Sequence, residues 1–229
     1  MHQLAVLAVA ILISSATLIG DMMTTARPTP DPALGYELIA AADAGNVALA
    51  TELVQQGADI ETRDERQRTP LMAATQGNHI YIARILIGAG ADVNAKDDMQ
   101  DSPYLLAGAR GYYEILVMTL ANGADLTSTN RFGGTAMIPA CERGHVETVR
   151  ILLEAGVVVD HVNNLGWTCL LEAIILSDGG PNHVQIVQML VDAGADVNLA
   201  DFDGVTPLQH AYARGYGDIA AILEAAGAR

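Results

Sequence analysis

The residues best suited to chemistry in this chain are six histidines and two cysteines. His79, His145 and His183 occupy equivalent positions in three of the repeated segments, so at least one repeat of structure separates any two of them. Because the ligands of one metal ion lie about 2 Å from it, these three histidines cannot share a metal. His161 and His210 have no cysteine or second histidine at ligand spacing. The sequence therefore predicts no metal site.

The chain also lacks the spacing patterns of common catalytic sites. It has no Gly-x-Ser-x-Gly turn, no phosphate-binding loop and no His-Glu-x-x-His helix. The glycine-rich turn at residues 177–181 contains no lysine that could reach a phosphate. We therefore expect no catalytic residue, no cofactor and no enzyme activity. The least favoured alternative is an enzyme or metal-binding protein with its site at this turn.

The amino-acid composition excludes some classes of binding partner. The 229 residues include 12 Lys+Arg and 27 Asp+Glu, which gives a formal net charge of −15. Such a chain is not expected to bind nucleic acid, which requires a basic surface, or to adsorb to anionic lipid. Hydrophobic residues make up 51% of the chain but aromatic ones only 4%, so the apolar content is aliphatic and rich in alanine. This composition favours short, closely packed helices.

A period of 33 residues organises most of the chain. Thr69-Pro-Leu recurs in similar form at Ser102, Thr135, Thr168 and Thr206, with a five-residue insertion in the unit that begins at Thr168. Threonine or serine caps a helix, proline suits its first position, and glycine ends the second helix of each unit. Counting one period back predicts six units, with helices that start near residues 36, 69, 102, 135, 168 and 206.

This pattern resembles the ankyrin repeat. Thr-Pro-Leu, a Gly-His pair, Leu-Leu and Gly-Ala-Asp-Val-Asn recur from about residue 34 to residue 229. The resemblance implies an all-α fold, namely a solenoid of helix-turn-helix units with protruding β-hairpin loops. It also implies that His79, His145 and His183 hold the turns between helices by hydrogen bonds. The chain departs from the family pattern at Asn78, Gln100, Val158 and Asn182.

The two cysteines fall on neighbouring inner helices, the first helix of each unit. Cys141 lies six residues after Thr135, and Cys169 lies one residue after Thr168. If the helices stack in equal register, the offset is about five residues at 1.5 Å each, in addition to the spacing between units. That places the Cα atoms beyond the roughly 7 Å limit for a disulfide. We therefore predict two buried free thiols.

The N-terminus is typical of an export signal. Residues 4–13 form an uncharged aliphatic run of the length of a signal peptide core, although no Lys or Arg precedes it. We expect a signal peptide within residues 1–26 and a proline-rich extended linker at 27–35. The protein would then be periplasmic or secreted. Without cleavage, the segment would anchor the chain in the inner membrane, facing the periplasm.

In the ankyrin family, partners usually dock on the loop tips and on the exposed end of the inner helices. Eight of the basic residues but only six of the acidic ones fall on this surface, which predicts a slightly basic binding face with a formal charge of +2. Arg110, Arg143 and Arg214 share one position on three inner helices and should form a row. They could recognise carboxylates or pair with neighbouring acids.

Apolar residues recur at the predicted loop tips. Met99, Phe132 and Leu165 each lie three residues before the Thr or Ser of their unit, and we favour a binding role for this row. Trp167 is expected mainly to pack on the adjacent loop. The candidate protein-binding residues are Arg66, Arg68, Met99, Arg110, Arg131, Phe132, Arg143, Leu165, Trp167, Phe202 and Arg214.

The sequence thus favours a non-enzymatic protein-binding module of the bacterial envelope. It should act as a monomer and bind a protein partner, through an acidic segment, in its concave groove. Narrower alternatives are an immunity protein that inhibits a toxic periplasmic enzyme and a helper that protects or assembles one.

Overall fold

The computed structural model describes residues 30–229, which form six consecutive pairs of helices. The predicted signal peptide lies outside these residues. Within them, no helix is long and apolar enough to cross a membrane. The inner helices are α1 (Pro32–Asp43), α3 (Pro70–Gln76), α5 (Pro103–Arg110), α7 (Met137–Glu142), α9 (Cys169–Ile175) and α11 (Pro207–Arg214). The outer helices are α2 (Val47–Gln55), α4 (Ile80–Gly88), α6 (Tyr113–Ala121), α8 (Val146–Glu154), α10 (Pro181–Asp192) and α12 (Gly217–Ala225).

Local sequence explains where most inner helices begin. The hydroxyls of Thr69, Ser102, Thr168 and Thr206 each accept a hydrogen bond from the backbone N–H three residues later, which satisfies a donor that the helix itself cannot. The fourth unit differs, because the hydroxyl of Thr135 is buried without a hydrogen-bond partner among the described residues and does not cap the helix. Helix α7 accordingly starts at Met137 and has only six residues.

The first inner helix begins earlier than the sequence indicated. The predicted linker at 27–35 is wrong from residue 32 onward, since α1 starts at Pro32. The carboxylate of Asp31 caps this helix by accepting from the N–H of Ala33, and proline occupies its first position. Gly35 lies so close to the next unit that a Cβ there would be 1.9 Å from the hydroxyl of Thr62.

Successive inner helices pack against each other in a staggered arrangement. Between the third and fourth units, and again between the fourth and fifth, the residue six positions after the Thr or Ser contacts the residue one position after the Thr of the next unit. Gly108 and Ala136 form such a pair, and a Cβ on Gly108 would lie only 2.7 Å from the Cβ of Ala136. Side chains larger than these two would not fit between the helices at this point.

Cys141 and Cys169 occupy the same pair of positions one unit further on, and they form a disulfide with a Cα–Cα distance of 5.6 Å. The prediction of two free thiols is therefore wrong. It assumed helices in equal register, whereas the stagger brings the first residue of α9 against the turn of α7 that runs from Met137 to Cys141. The Sγ atom of Cys169 also lies 3.5 Å from the carbonyl oxygen of Met137.

The loops between units are tight turns, and the described residues contain no β-strand, only an isolated bridge between Asp31 and Ala58. Each turn is closed by an Asp or Asn five residues before the Thr or Ser of the unit. In the third unit, Oδ1 of Asp97 accepts from the N–H groups of Met99 and Asp101 at 2.9 and 3.0 Å. Equivalent bonds are made by Asp64, Asn130, Asn163 and Asp201.

Two of these turns hold a side-chain-bearing residue in the left-handed backbone region. Gln67 and Gln100 have φ angles of 59° and 63°, whereas glycine occupies the same position in the three later turns. Asn78, in the turn between α3 and α4, has a φ of 52°. The departures from the family pattern at Gln100 and Asn78 therefore leave the turn geometry intact, at some conformational cost.

Breaking the disulfide should lower the free energy of unfolding by about 3–4 kcal/mol, because a crosslink across 28 residues restricts the unfolded chain. Chemical denaturation with and without reductant measures this difference. A double variant with serine at 141 and 169 should match the reduced protein and ignore reductant. Detection of two free thiols in the unfolded, unreduced protein would contradict the crosslink.

Gln100→Gly should raise the free energy of unfolding by roughly 0.5–1 kcal/mol. Glycine removes the left-handed strain, although its greater freedom in the unfolded chain offsets part of the gain. Urea denaturation tests this. The matched control is Gly204→Gln in the equivalent turn, where an added Cβ would meet no atom within 4 Å. This variant should be less stable than the wild type by a similar amount. A stability loss in Gln100→Gly would instead show that contacts of the glutamine outweigh its strain.

Candidate functional site

A groove with a volume of about 580 Å³ runs along the loops and inner helices of the second to fifth units. Apolar residues form much of its wall: Met72, Met99, Leu106, Phe132, Ile138, Pro139, Leu165 and Leu176. Its charged residues are Arg66, Asp97, Asp98, Asp101, Arg110, Arg131, Glu142, Arg143 and Glu172. The groove thus combines an apolar wall, part of which is exposed, with charges of both signs.

The structure brings seven of the eleven predicted binding residues together in this groove: Arg66, Met99, Arg110, Arg131, Phe132, Arg143 and Leu165. The other four, Arg68, Trp167, Phe202 and Arg214, do not line it. The groove therefore has a narrower extent than the sequence-based surface, and it lies over the central units.

The apolar row at the loop tips lies along one edge of the groove. Met99, Phe132 and Leu165 keep 41%, 51% and 51% of their surface exposed, respectively. The guanidinium of Arg131 lies 4.7 Å from the centroid of the Phe132 ring, and its Nη1 atom is 2.9 Å from Sδ of Met99. Arg131 thus covers part of the row and joins two of its members.

The predicted arginine row is mostly structural. Arg143 donates to the carbonyl of Ala109, and Arg214 donates from Nε and Nη2 to the carbonyl of Ile175 at 3.2 and 2.8 Å. Each therefore binds the C-terminal end of the preceding inner helix, where carbonyl groups lack helical partners. Arg110 makes no such bond within residues 30–229 and remains exposed at the groove.

The three other predicted residues outside the groove also have structural contacts. Arg68 binds Asp43 and Asp64, each at 2.8 Å, and only 12% of its side chain is exposed. The ring of Phe202 lies over Gly166 in the preceding loop but stays 76% exposed. Trp167 is half-buried, and its backbone closes the loop with Asn163.

The charge balance of the groove differs from the sequence-based expectation. Four arginines and five carboxylates line it, so its formal charge is −1, whereas the larger sequence-based surface has an expected charge of +2. Several cations on the sequence-based surface bind backbone carbonyls of neighbouring loops instead. Arg63 donates to the carbonyls of Gln67 and Lys96, and Lys96 donates to that of Thr129.

Asp101 lies among the basic residues of the groove. Burial, and then the charge of Asp97, raise the pKa of the Asp101 carboxyl, while Arg131, Arg110 and Arg143 act in the opposite direction. Arg110 thus has a carboxylate in its surroundings but no salt bridge within 4 Å among the described residues.

Glu172 is a groove residue that the sequence analysis missed. It lies on α9 with only 5% of its surface exposed, and its Oε1 atom accepts from Nδ2 of Asn163 at 2.8 Å. Burial raises the pKa of Glu172 to about 7, and the nearby charge of Glu142 adds to this shift. The sequence did offer one signal, namely a carboxyl group at this position of the inner helix. The equivalent residues in the other units are Ala73, Leu106, Pro139 and His210.

The repeated histidines contact the preceding unit. Nε2 of His79 lies 3.2 Å from the carbonyl oxygen of Asp43, and Nε2 of His183 lies 3.0 Å from that of Glu142. The ring of His145 packs against Gly111. His79 and His183 therefore have the turn-holding contacts that the resemblance implied. No group of three or more metal-binding side chains is clustered within residues 30–229.

Comparison with known proteins identifies the family. A model described as ankyrin repeats in three copies matches residues 36–97 and 104–201. The chain belongs to the ankyrin repeat family. Ankyrin repeats are protein-interaction modules and are generally not enzymes, which agrees with a groove that contains apolar and charged side chains.

Two solved ankyrin repeat structures are similar over most of this chain. An ankyrin repeat domain from Acinetobacter baumannii is 61% identical, with a TM-score of 0.82 over 85% of this chain and 99% of its own. Another ankyrin repeat protein is 39% identical, with a TM-score of 0.79 over 82% of this chain and 96% of its own. The ankyrin repeat protein YahD from Escherichia coli strain K12 is 52% identical over 59 residues, which cover 26% of this chain and 29% of YahD.

The buried Glu172 should make the stability of this ankyrin domain fall with rising pH. The neutral carboxyl is favoured in the folded state, so its contribution is complete below the ordinary pKa of 4.5 and is lost as pH rises through about 7. The expected loss is about 3 kcal/mol. Urea denaturation at pH 5 and pH 8 should show a smaller loss in Glu172→Gln, while Glu147→Gln on the exposed face of α8 should behave as wild type. Equal pH dependence in all three proteins would contradict this assignment.

Proposed function

We propose that this chain is an exported, non-enzymatic module that binds a protein partner in the groove and at its loop tips. The observation that carries the proposal is the row of Met99, Phe132 and Leu165, three large apolar side chains left about half exposed along one edge of the groove. A contiguous apolar edge beside charged residues is typical of a protein-binding surface.

The apolar row supplies the anchoring contacts. Full burial of one large apolar side chain contributes roughly 1.5–3 kcal/mol. Covering three that are half exposed would therefore contribute about 3 kcal/mol, before the cost of ordering the partner. Much of the binding free energy would then come from the loop tips of the third to fifth units.

The arginines supply orientation. Arg66 and Arg110 are exposed at the groove and make no salt bridge within 4 Å among the described residues. Both lie in the half of the groove formed by the second to fourth units, together with Arg131. An acidic or carboxylate-rich segment of the partner would be directed to this half, since guanidinium groups bind carboxylates in a bidentate manner.

The disulfide supports export. Disulfides persist in oxidising compartments such as the bacterial periplasm and are rare in the reducing cytosol. The Cys141–Cys169 bond therefore agrees with the aliphatic run at residues 4–13. We place the protein in the periplasm or outside the cell, and N-terminal sequencing of the exported protein will decide whether the leader is removed.

Phe132→Ala and Arg110→Glu should each weaken partner binding by at least tenfold without unfolding the protein, because one removes an apolar anchor and the other reverses an exposed charge. The measurement is capture of partners from a native envelope fraction, with folding monitored by circular dichroism. Tyr81→Ala and Arg84→Glu are matched controls, since both side chains are exposed on the outer helix α4 and lie outside the groove. Undiminished capture by Phe132→Ala and Arg110→Glu would show that the partner binds elsewhere.

A further inference from the structure

The carboxyl group of Glu172 is fixed in the floor of the groove. Asn163 donates to its Oε1 atom, and Asn163 is itself held because its Oδ1 accepts from the N–H groups of Leu165 and Trp167. The helix that carries Glu172 is joined to α7 by the disulfide at Cys169. The carboxyl therefore cannot easily turn towards bulk water when the groove is filled.

The charges around Glu172 do not neutralise it. On the α7 side, Glu142 repels the ionised form and Arg143 stabilises it, but Arg143 also donates to the carbonyl of Ala109. The loop before α9 contributes one uncharged group, the side-chain amide of Asn163, which donates a hydrogen bond to Glu172.

On the other elements packed against α9, the charged and titratable side chains bind groups other than Glu172. On α11, His210 binds Asp201 at 2.7 Å, and Arg214 binds the carbonyl of Ile175. On α10, His183 binds Asp178 at 3.1 Å. No salt bridge to Glu172 exists among the described residues.

A partner that covers the groove removes the remaining water from this carboxyl. Desolvation penalises the charged form, so the covered site holds a proton more tightly than the open one. An acidic partner segment adds to this effect, because it brings further negative charge close to Glu142 and Glu172. Closure of the groove and protonation therefore favour each other.

We propose that the groove binds its partner with uptake of a proton by Glu172, so that binding tightens as the pH falls from 8 to 6. This inference rests on the proposed function, since it requires a partner in the groove. For a single proton, linkage limits the change to tenfold per pH unit. We expect the affinity to rise by roughly five- to tenfold over this range.

The probe is a peptide enriched on the wild-type protein from a random phage-displayed library at pH 6, and kept only if Phe132→Ala abolishes its binding. Isothermal titration calorimetry at pH 7, in two buffers of different ionisation enthalpy, counts the protons taken up. Wild type should take up roughly half a proton per peptide, and Glu172→Gln should take up almost none. Glu147→Gln is the matched control and should behave as wild type, since its carboxylate pairs with Arg150 on the exposed face of α8.

A second measurement needs no partner. Carbon-13 NMR of the glutamate carboxyls in the free protein should show one group that titrates near neutral pH and is missing from Glu172→Gln. If every carboxyl titrates in the ordinary range, the inference is overturned.

The outcomes separate the inference from the proposed function. A peptide that needs Phe132 but binds without proton uptake, or more tightly at pH 8, overturns the proton linkage and leaves the groove as the binding site. Binding that tightens at pH 8 would mean that the partner brings its own cation to Glu172. A library that yields no peptide dependent on Phe132 at either pH overturns the proposed function, and the proton linkage with it.

Discussion

The close, staggered contact between successive inner helices determines where most other residues lie. The backbone at Gly108, six positions after Ser102, lies directly against Ala136, one position after Thr135 in the next unit. At the next such contact, between the fourth and fifth units, Cys141 and Cys169 form a covalent pair. These two contacts fix the inner helices of the third to fifth units side by side, and the outward-facing positions of those helices line much of the groove.

The loop turns connect this scaffold to the groove. One oxygen of the Asp or Asn that closes each turn accepts two backbone N–H groups, and in three units the remaining side-chain atom reaches further. Asp64 binds Arg68, Asn163 binds Glu172, and Asp201 binds His210. The residue that shapes a loop tip thus also fixes a neighbouring polar group, so the apolar edge and the groove floor are positioned by the same side chains.

The 33-residue period was sufficient to place backbone positions but not side-chain contacts. Met99, Phe132 and Leu165 lie together because equivalent positions in a solenoid must align, and because the backbone N–H of each donates to the Asp or Asn that closes its turn. Arg143 and Arg214 were located correctly, but their long side chains reach helix-end carbonyls that a count of charges does not include. The disulfide was missed because a period gives the length of a repeat and not the stagger between repeats. Glu172 was missed because its importance comes from burial, which no local pattern encodes.

Several of the few cations of this acidic chain make contacts within the solenoid. Arg63, Arg68, Lys96 and Arg214 bind neighbouring loops or helix ends rather than the groove. The groove therefore keeps few exposed guanidinium groups against five carboxylates, within a chain of formal charge −15. Long-range attraction cannot select an acidic partner on such a surface, because the surrounding field repels polyanions. Under the proposed function, selection comes from short-range contacts, in which the apolar edge would anchor the partner and Arg66 and Arg110 would bind individual carboxylates. The positive and negative charges that line the groove nearly cancel. The gain or loss of a single proton at Glu172 therefore changes the net charge of the groove substantially.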